Sequence, residues 1–247
     1  MLCLLIANLG TTVAEFAGVA AAGELFGINR LITVPLAGLL ITLIVLRGNY
    51  KSVEKILLVL CLSSLSYVIT VFVIKPEWGM VLQAAVKPQS QMTSDYMISV
   101  LAVIGTTITP WGIFYLQASV ADKGVDLNKY GDTRTDVVFG SMWGNIISAF
   151  IIITTAATLF SNGIVVNSAE EAALALKPLA GEASSLLFAV GLLGASLLAV
   201  SVLPLSTTYA ICEAFGFERG LNRNVKDAPI FYTIFGGIML ISMLLAM

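Results

Sequence analysis

The chain has 247 residues, of which 58% are hydrophobic and only 11% charged, against roughly 25% charged in a soluble domain. So little polar surface excludes a water-soluble globular enzyme, and a net charge of -2 with basic residues scattered singly between apolar runs excludes a nucleic-acid-binding surface. Histidine is absent, which removes the commonest transition-metal ligand and the usual proton shuttle near neutral pH.

The apolar runs predict an all-α fold, a polytopic transmembrane helical bundle. At about 1.5 Å per residue each run can cross a hydrocarbon core about 30 Å thick. In chain order the expected spans are 2–27, 30–46, 56–74, 94–121, 136–160, 185–212 and 229–247, forming one membrane domain without a separate soluble unit. The first begins at Met1 without a charged lead or cleavage site, so no cleaved signal is expected. Both ends read as cut, since no polar stop follows Met247.

Within the first span, Asn8, Thr12 and Glu15 fall at i, i+4 and i+7 and share one helical face. A carboxylate near mid-bilayer costs several kcal/mol unless it faces the bundle interior or a wet cavity, so Glu15 is either a site residue or a buried interhelical hydrogen-bond partner. Ala14 with Gly18, and Ala17 with Ala21, repeat a small-xxx-small spacing that suits close helix packing.

The fourth span carries the densest polar cluster: Gly105, Thr106, Thr107, Thr109, Pro110 and Gly112. Proline lacks an N–H and its ring clashes with the carbonyl four residues back, so Pro110 should release the Thr106 carbonyl from the helical ladder. Two readings follow. Threonine hydroxyls heal the kink, or the loosened backbone lines a cavity and offers oxygen ligands to a cation. Asn145 in the fifth span, and Pro204, Ser206, Thr207 and Thr208 in the sixth, are further polar or helix-breaking positions that read as structural when taken alone. Cys3, Cys61 and Cys212 are isolated in apolar stretches and read as packing residues. No nucleophile, zinc-protease, phosphate-loop or paired-carboxylate motif occurs, so no enzymatic activity is expected.

Alternate loops divide the basic residues unevenly. Arg47, Lys51, Lys55, Lys123, Lys129, Arg134, Arg219, Arg223 and Lys226 fall on one side, and Arg30, Lys75, Lys87 and Lys177 on the other. The richer side is expected in the cytoplasm, which starts the amino terminus inside and turns loops 75–93 and 161–184 outward.

Several of these stretches together resemble the NRAMP family of divalent-metal transporters, and more closely its NRAMP-related magnesium transporter branch. Thr11-Thr-Val-Ala-Glu15-Phe-Ala-Gly18 resembles the family's third helix. Val86-Lys87-Pro88 resembles the loop before its sixth helix, and Gly105-Thr-Thr-Ile-Thr-Pro-Trp111 that unwound helix. Pro204-Leu-Ser-Thr-Thr-Tyr-Ala-Ile-Cys-Glu-Ala-Phe-Gly216 resembles the eighth helix and its exit. The resemblance covers nearly the whole chain, as family helices three to nine. It implies part of a LeuT-like inverted-repeat fold in an inner (plasma) membrane, with the divalent metal ion as transported substrate and no cofactor.

On that resemblance Gly105, Thr106 and Thr109 form the metal site, Pro110 marks the helix break, and Glu15, Thr12, Trp111 and Asn145 line the pathway. The departures point to a hard ion. Where family members carry Met-Pro-His, this chain has Thr109-Pro110-Trp111, so a thioether is replaced by a hydroxyl that suits Mg²⁺, with Mn²⁺ as a companion. The family's relay histidine becomes Trp111 and its third-helix aspartate becomes Thr12, which implies movement uncoupled from protons. The alternatives are a proton-coupled Mn²⁺ or Fe²⁺ importer and a non-transporting seven-span receptor or structural subunit.

Overall fold

The computed structural model describes residues 1–47, 50–87, 93–164, 171–172 and 181–247. Every regular element among them is helical: α1 (Leu2–Leu25), α2 (Arg30–Arg47), α3 (Tyr50–Leu62), α4 (Leu65–Ile74), α5 (Trp78–Val86), α6 (Ser94–Thr107), α7 (Pro110–Asp122), α8 (Tyr130–Thr158), α9 (Glu182–Phe215) and α10 (Pro229–Ala246), with short 3₁₀ turns at Leu127–Lys129 and Phe160–Asn162. Among the described residues seven stretches are long and apolar enough to cross a bilayer. Pro88, Lys177 and most of the long loop expected at 161–184 lie outside the described residues.

Local chemistry sets the boundaries. Gly27 adopts φ +78° after α1, and the Ile28 N–H returns to the Gly23 carbonyl at 2.9 Å, a left-handed stop open to glycine. Two residues later the Asn29 side chain accepts the Leu31 N–H at 2.9 Å and caps α2. These two devices turn the chain between the first spans.

The longest helix, α9, is the centre of the bundle and touches α1, α2, α3, α4, α7 and α10. Phe16, Val34, Leu205, Tyr209, Phe231 and Phe235 form one buried cluster around it, and Tyr67, Ile147, Leu159 and Phe188 a second. Outward faces carry large apolar side chains such as Leu31, Ile32, Leu36 and Leu39. Lipid solvates these as well as a neighbouring helix would, so the helices cohere by close packing and not by apolar burial. Gly191 and Gly194 of α9 show how close: a Cβ at either would collide with side chains of the Ser63–Tyr67 stretch.

The structure departs in four details from what the spans and their proline positions suggest. The span expected at 56–74 is interrupted by a turn at Ser63–Ser64, where each hydroxyl donates to the carbonyl three residues back, at 2.7 and 2.6 Å. Those bonds compete with the helical ladder, and the Trp143 indole N–H holds the turn by donating to Ser64 Oγ at 3.2 Å. The connection expected as a loop at 75–93 contains α5, and α8 begins at Tyr130, well before the expected 136. Finally, Pro204 does not break its helix: α9 runs through it to Phe215. There Thr208 Oγ1 donates to the Pro204 carbonyl at 2.7 Å and Thr207 Oγ1 to the Leu203 carbonyl at 3.0 Å.

At one end of the bundle the chain segments around Glu54, Asp122, Lys123 and Leu221 meet through side-chain contacts. The basic-rich loops after α2, α7 and α9 therefore share a side, as the alternation of spans requires.

Candidate functional site

The fourth expected span is two helices. α6 stops at Thr107, Ile108 takes φ -109° and ψ 75°, Thr109 is extended at φ -86° and ψ 129°, and α7 starts at Pro110. Proline belongs at the first position of a helix, where its missing N–H costs nothing. Among the described residues no backbone N–H donates to the Gly105 or Thr106 carbonyl: Pro110, which would serve Thr106, has none to give, and Thr109, which would serve Gly105, is extended out of the helix. The threonine hydroxyls do not heal this gap. Thr106 and Thr107 both donate upstream, to the Val103 carbonyl at 3.0 and 2.8 Å.

Thr109 is placed differently. Its carbonyl accepts the Gly112 N–H at 3.2 Å, but its hydroxyl makes no capping bond. A Cβ at Gly112 would stand 2.9 Å from Thr109 Oγ1, so Gly112 leaves room for that hydroxyl. Around Gly105 nothing lies within 4 Å of a would-be Cβ, so its freedom is not demanded by packing.

The break opens on a cavity of about 640 Å³ between α1, α6, α7 and α9. Gly105, Thr106, Thr109, Pro110, Trp111 and Glu15 all line it, joined by Asn8, Thr11, Phe114 and, towards the start of α1, Cys3. Glu15 is half-buried, with the Ser196 hydroxyl as a hydrogen-bond partner and Tyr67 within range of its charge. Asn8 donates from Nδ2 to Thr207 Oγ1 at 2.7 Å and so ties the cavity wall to α9.

Two expected pathway residues stand elsewhere. Thr12 is fully buried, with its hydroxyl donating to the Asn8 carbonyl at 2.6 Å, and it does not line the cavity. Asn145 is exposed on α8 and donates to the Ser141 carbonyl of its own helix at 2.9 Å. The α9 threonines, by contrast, gain importance through the Asn8–Thr207 bond, a pairing 199 residues apart that no local pattern signals. Cys3 is exposed at the cavity, Cys61 is half-buried, and only Cys212 is fully enclosed.

Chemically the cavity offers one carboxylate, amide and hydroxyl oxygens, and two carbonyls freed by the break. Among the described residues no group of three or more His, Cys, Asp or Glu side chains is placed to hold a metal. A cation placed here would meet few charges and many neutral oxygens, an arrangement suited to hard ions that retain water.

Over residues 1–247 the chain matches the family described as natural resistance-associated macrophage protein-like, Nramp. It is 32% identical over 202 residues to the divalent metal cation transporter MntH of Erwinia tasmaniensis, covering 78% of this chain and 48% of that protein. It is 31% identical over 202 residues to the MntH transporter of Caldanaerobacter subterraneus subsp. tengcongensis (76% and 47%). With the Yersinia pestis MntH transporter it shares 25% identity over 241 residues (93% and 58%). The chain thus spans about half the length of the curated relatives it matches.

Proposed function

Because this chain belongs to the Nramp family over its whole length, we propose that it moves a divalent metal cation across a membrane through the cavity at the α6–α7 break. One observation supports this above the others: Gly105 and Thr106, whose carbonyls accept no backbone N–H, Thr109, whose hydroxyl makes no cap, and Glu15 are residues that line one space. Backbone carbonyls at a discontinuous membrane helix replace part of a cation's water shell, and a nearby carboxylate makes the site attractive to positive charge.

The preferred substrate is Mg²⁺, with Mn²⁺ second. The residues at the break, Gly105, Thr106 and Thr109, offer oxygen alone, which suits a hard ion, and the chain contains no histidine at all. Transport is uncoupled from protons, since only one carboxylate faces the cavity and no relay residue follows it. The membrane is the bacterial inner membrane, by analogy with relatives named as bacterial transporters, and the basic-rich end faces the cytoplasm together with the amino terminus.

The test is uptake by the full-length gene product in liposomes containing a pH-sensitive dye. Entry of Mg²⁺ and Mn²⁺ at unchanged internal pH is the expected result. Acidification in step with metal entry would favour the proton-coupled importer instead, and absence of any flux would favour a receptor or structural subunit.

A further inference from the structure

The half-helix that leads away from the proposed site packs on α9 along one side, through Tyr115 and Ala118, and buries little else. Of its thirteen residues, α7 buries only Ala118. Its far end is nevertheless fastened by polar contacts. Asp122 Oδ2 accepts a short hydrogen bond from the Tyr209 hydroxyl of α9 and a second from the Leu221 N–H at 3.2 Å, in the loop beyond α9. The Leu221 N–H also reaches the Tyr209 oxygen at 3.1 Å, closing a three-membered ring of contacts.

The surroundings are shaped to this ring. Gly220 adopts φ +123°, and a Cβ there would stand 2.8 Å from Asp122 Oδ1. Tyr209 is held rigidly by edge-on contact with Phe231 at 4.9 Å between ring centres. The next residue of the half-helix, Lys123, pairs with Glu54 of α3 at 2.7 Å. That pair is half-exposed and adds little by itself, but it pulls the same end towards a different helix.

We infer that Asp122, Tyr209 and the Leu221 amide form a releasable clamp on α7, which sets the position of Thr109 and Pro110 at the other end of the same rigid helix. This inference deepens the proposed transport function and rests on it for its purpose, though not for its geometry. Thirteen residues make a lever roughly 20 Å long. Its pivot is the non-helical backbone at Ile108–Thr109, where the Ile108 N–H still donates back to the Ile104 carbonyl and the Thr109 carbonyl accepts the Gly112 N–H, but no backbone bond spans the break from α6 to α7. A cleft of about 350 Å³ beside Ala118, Ala121, Asp122 and Tyr209 leaves space for the end to move.

Magnitudes favour a switch over a permanent joint. A charge-assisted hydrogen bond biases a two-state equilibrium by roughly ten- to hundredfold, enough to hold one position and still be overcome by a bound ion. A helix anchored by several buried apolar side chains would not release so readily.

The test uses the full-length gene product with Cys3, Cys61 and Cys212 changed to alanine and spin labels at Gln117→Cys and Ala214→Cys, one on α7 and one on α9. A single distance is expected for this parent. Tyr209→Phe, which keeps the ring and deletes the donor, is expected to add a second, longer distance, with its population raised about tenfold or more. Gly220→Ala, which presses a methyl group on the Asp122 carboxylate, is expected to act in the same direction. An unchanged single distance in both variants overturns the clamp, whatever happens to flux. Displaced labels in a protein that moves no cation support the clamp while removing the transport reading.

Discussion

Glu15→Lys is expected to reduce divalent-cation uptake by at least about a hundredfold. The carboxylate lines the cavity shared with Thr106 and Thr109, and it is the only acidic side chain among the lining residues. At an effective dielectric constant of about 20, a unit charge some 10 Å from a divalent ion contributes about 3 kcal/mol, and reversing its sign doubles the change. Water in the cavity screens part of this. What remains still corresponds to about two decades or more in binding, at about 1.4 kcal/mol per decade. Glu15→Gln, which keeps the shape and the Ser196 hydrogen bond, is expected to lose about tenfold. The comparison is made on protein that elutes as a single species from detergent, and equal uptake by wild type and Glu15→Lys would show that the ion does not pass this carboxylate.

The second large effect is on folding. Gly194→Val places a branched side chain where Ser63 already sits, against the turn that divides α3 from α4. Neither partner yields readily: Ser63 is tied to the Leu60 carbonyl, and α9 is packed on six other helices. Overpacking of this kind costs about 1–3 kcal/mol, which for a bundle held by close approach and not by apolar burial separates helices along the whole contact. A markedly lower melting temperature in detergent is expected. Gly10→Val, where nothing lies within 4 Å of the added group, should melt as wild type does.

How far the sequence disclosed this arrangement depended on which interactions were local. The membrane spans were legible because a bilayer admits only long apolar helices. The break at Pro110 was legible too, since a missing N–H is a property of the residue itself. Pro204 shows the limit of that reasoning. The same residue type sits in an unbroken helix, where Pro204 and its neighbours Leu203 and Leu205 are enclosed by the bundle. Before Pro110 the whole stretch from Gly105 to Ile108 is exposed, so little packing holds the helix straight.

Spacing placed Thr12 and Glu15 on one face of α1, but it could not separate them. Thr12 is completely buried, whereas Glu15 reaches the cavity one turn further along. The Ser63–Ser64 turn gave no signal, because serines within membrane helices ordinarily bond back to their own turn without breaking it. Contacts between distant positions were invisible for a simpler reason: Asn8 with Thr207 and Asp122 with Tyr209 depend on helices meeting across the bundle. Polarity and the family resemblance both point Asn145 to the pathway, yet it is exposed on α8 and bonds to Ser141 of its own helix.

The central claim is that oxygens freed at a proline-interrupted membrane helix hold the transported ion. Uptake of Mg²⁺ by liposomes carrying the full-length gene product with Thr109→Ala and Pro110→Ala together tests it most directly, since alanine at both positions removes the hydroxyl and restores the missing N–H. The account expects an initial rate at least about tenfold below wild type, in protein that still elutes as a single folded species, as loss of one charge-assisted ligand implies. Wild-type uptake by that double variant would contradict it.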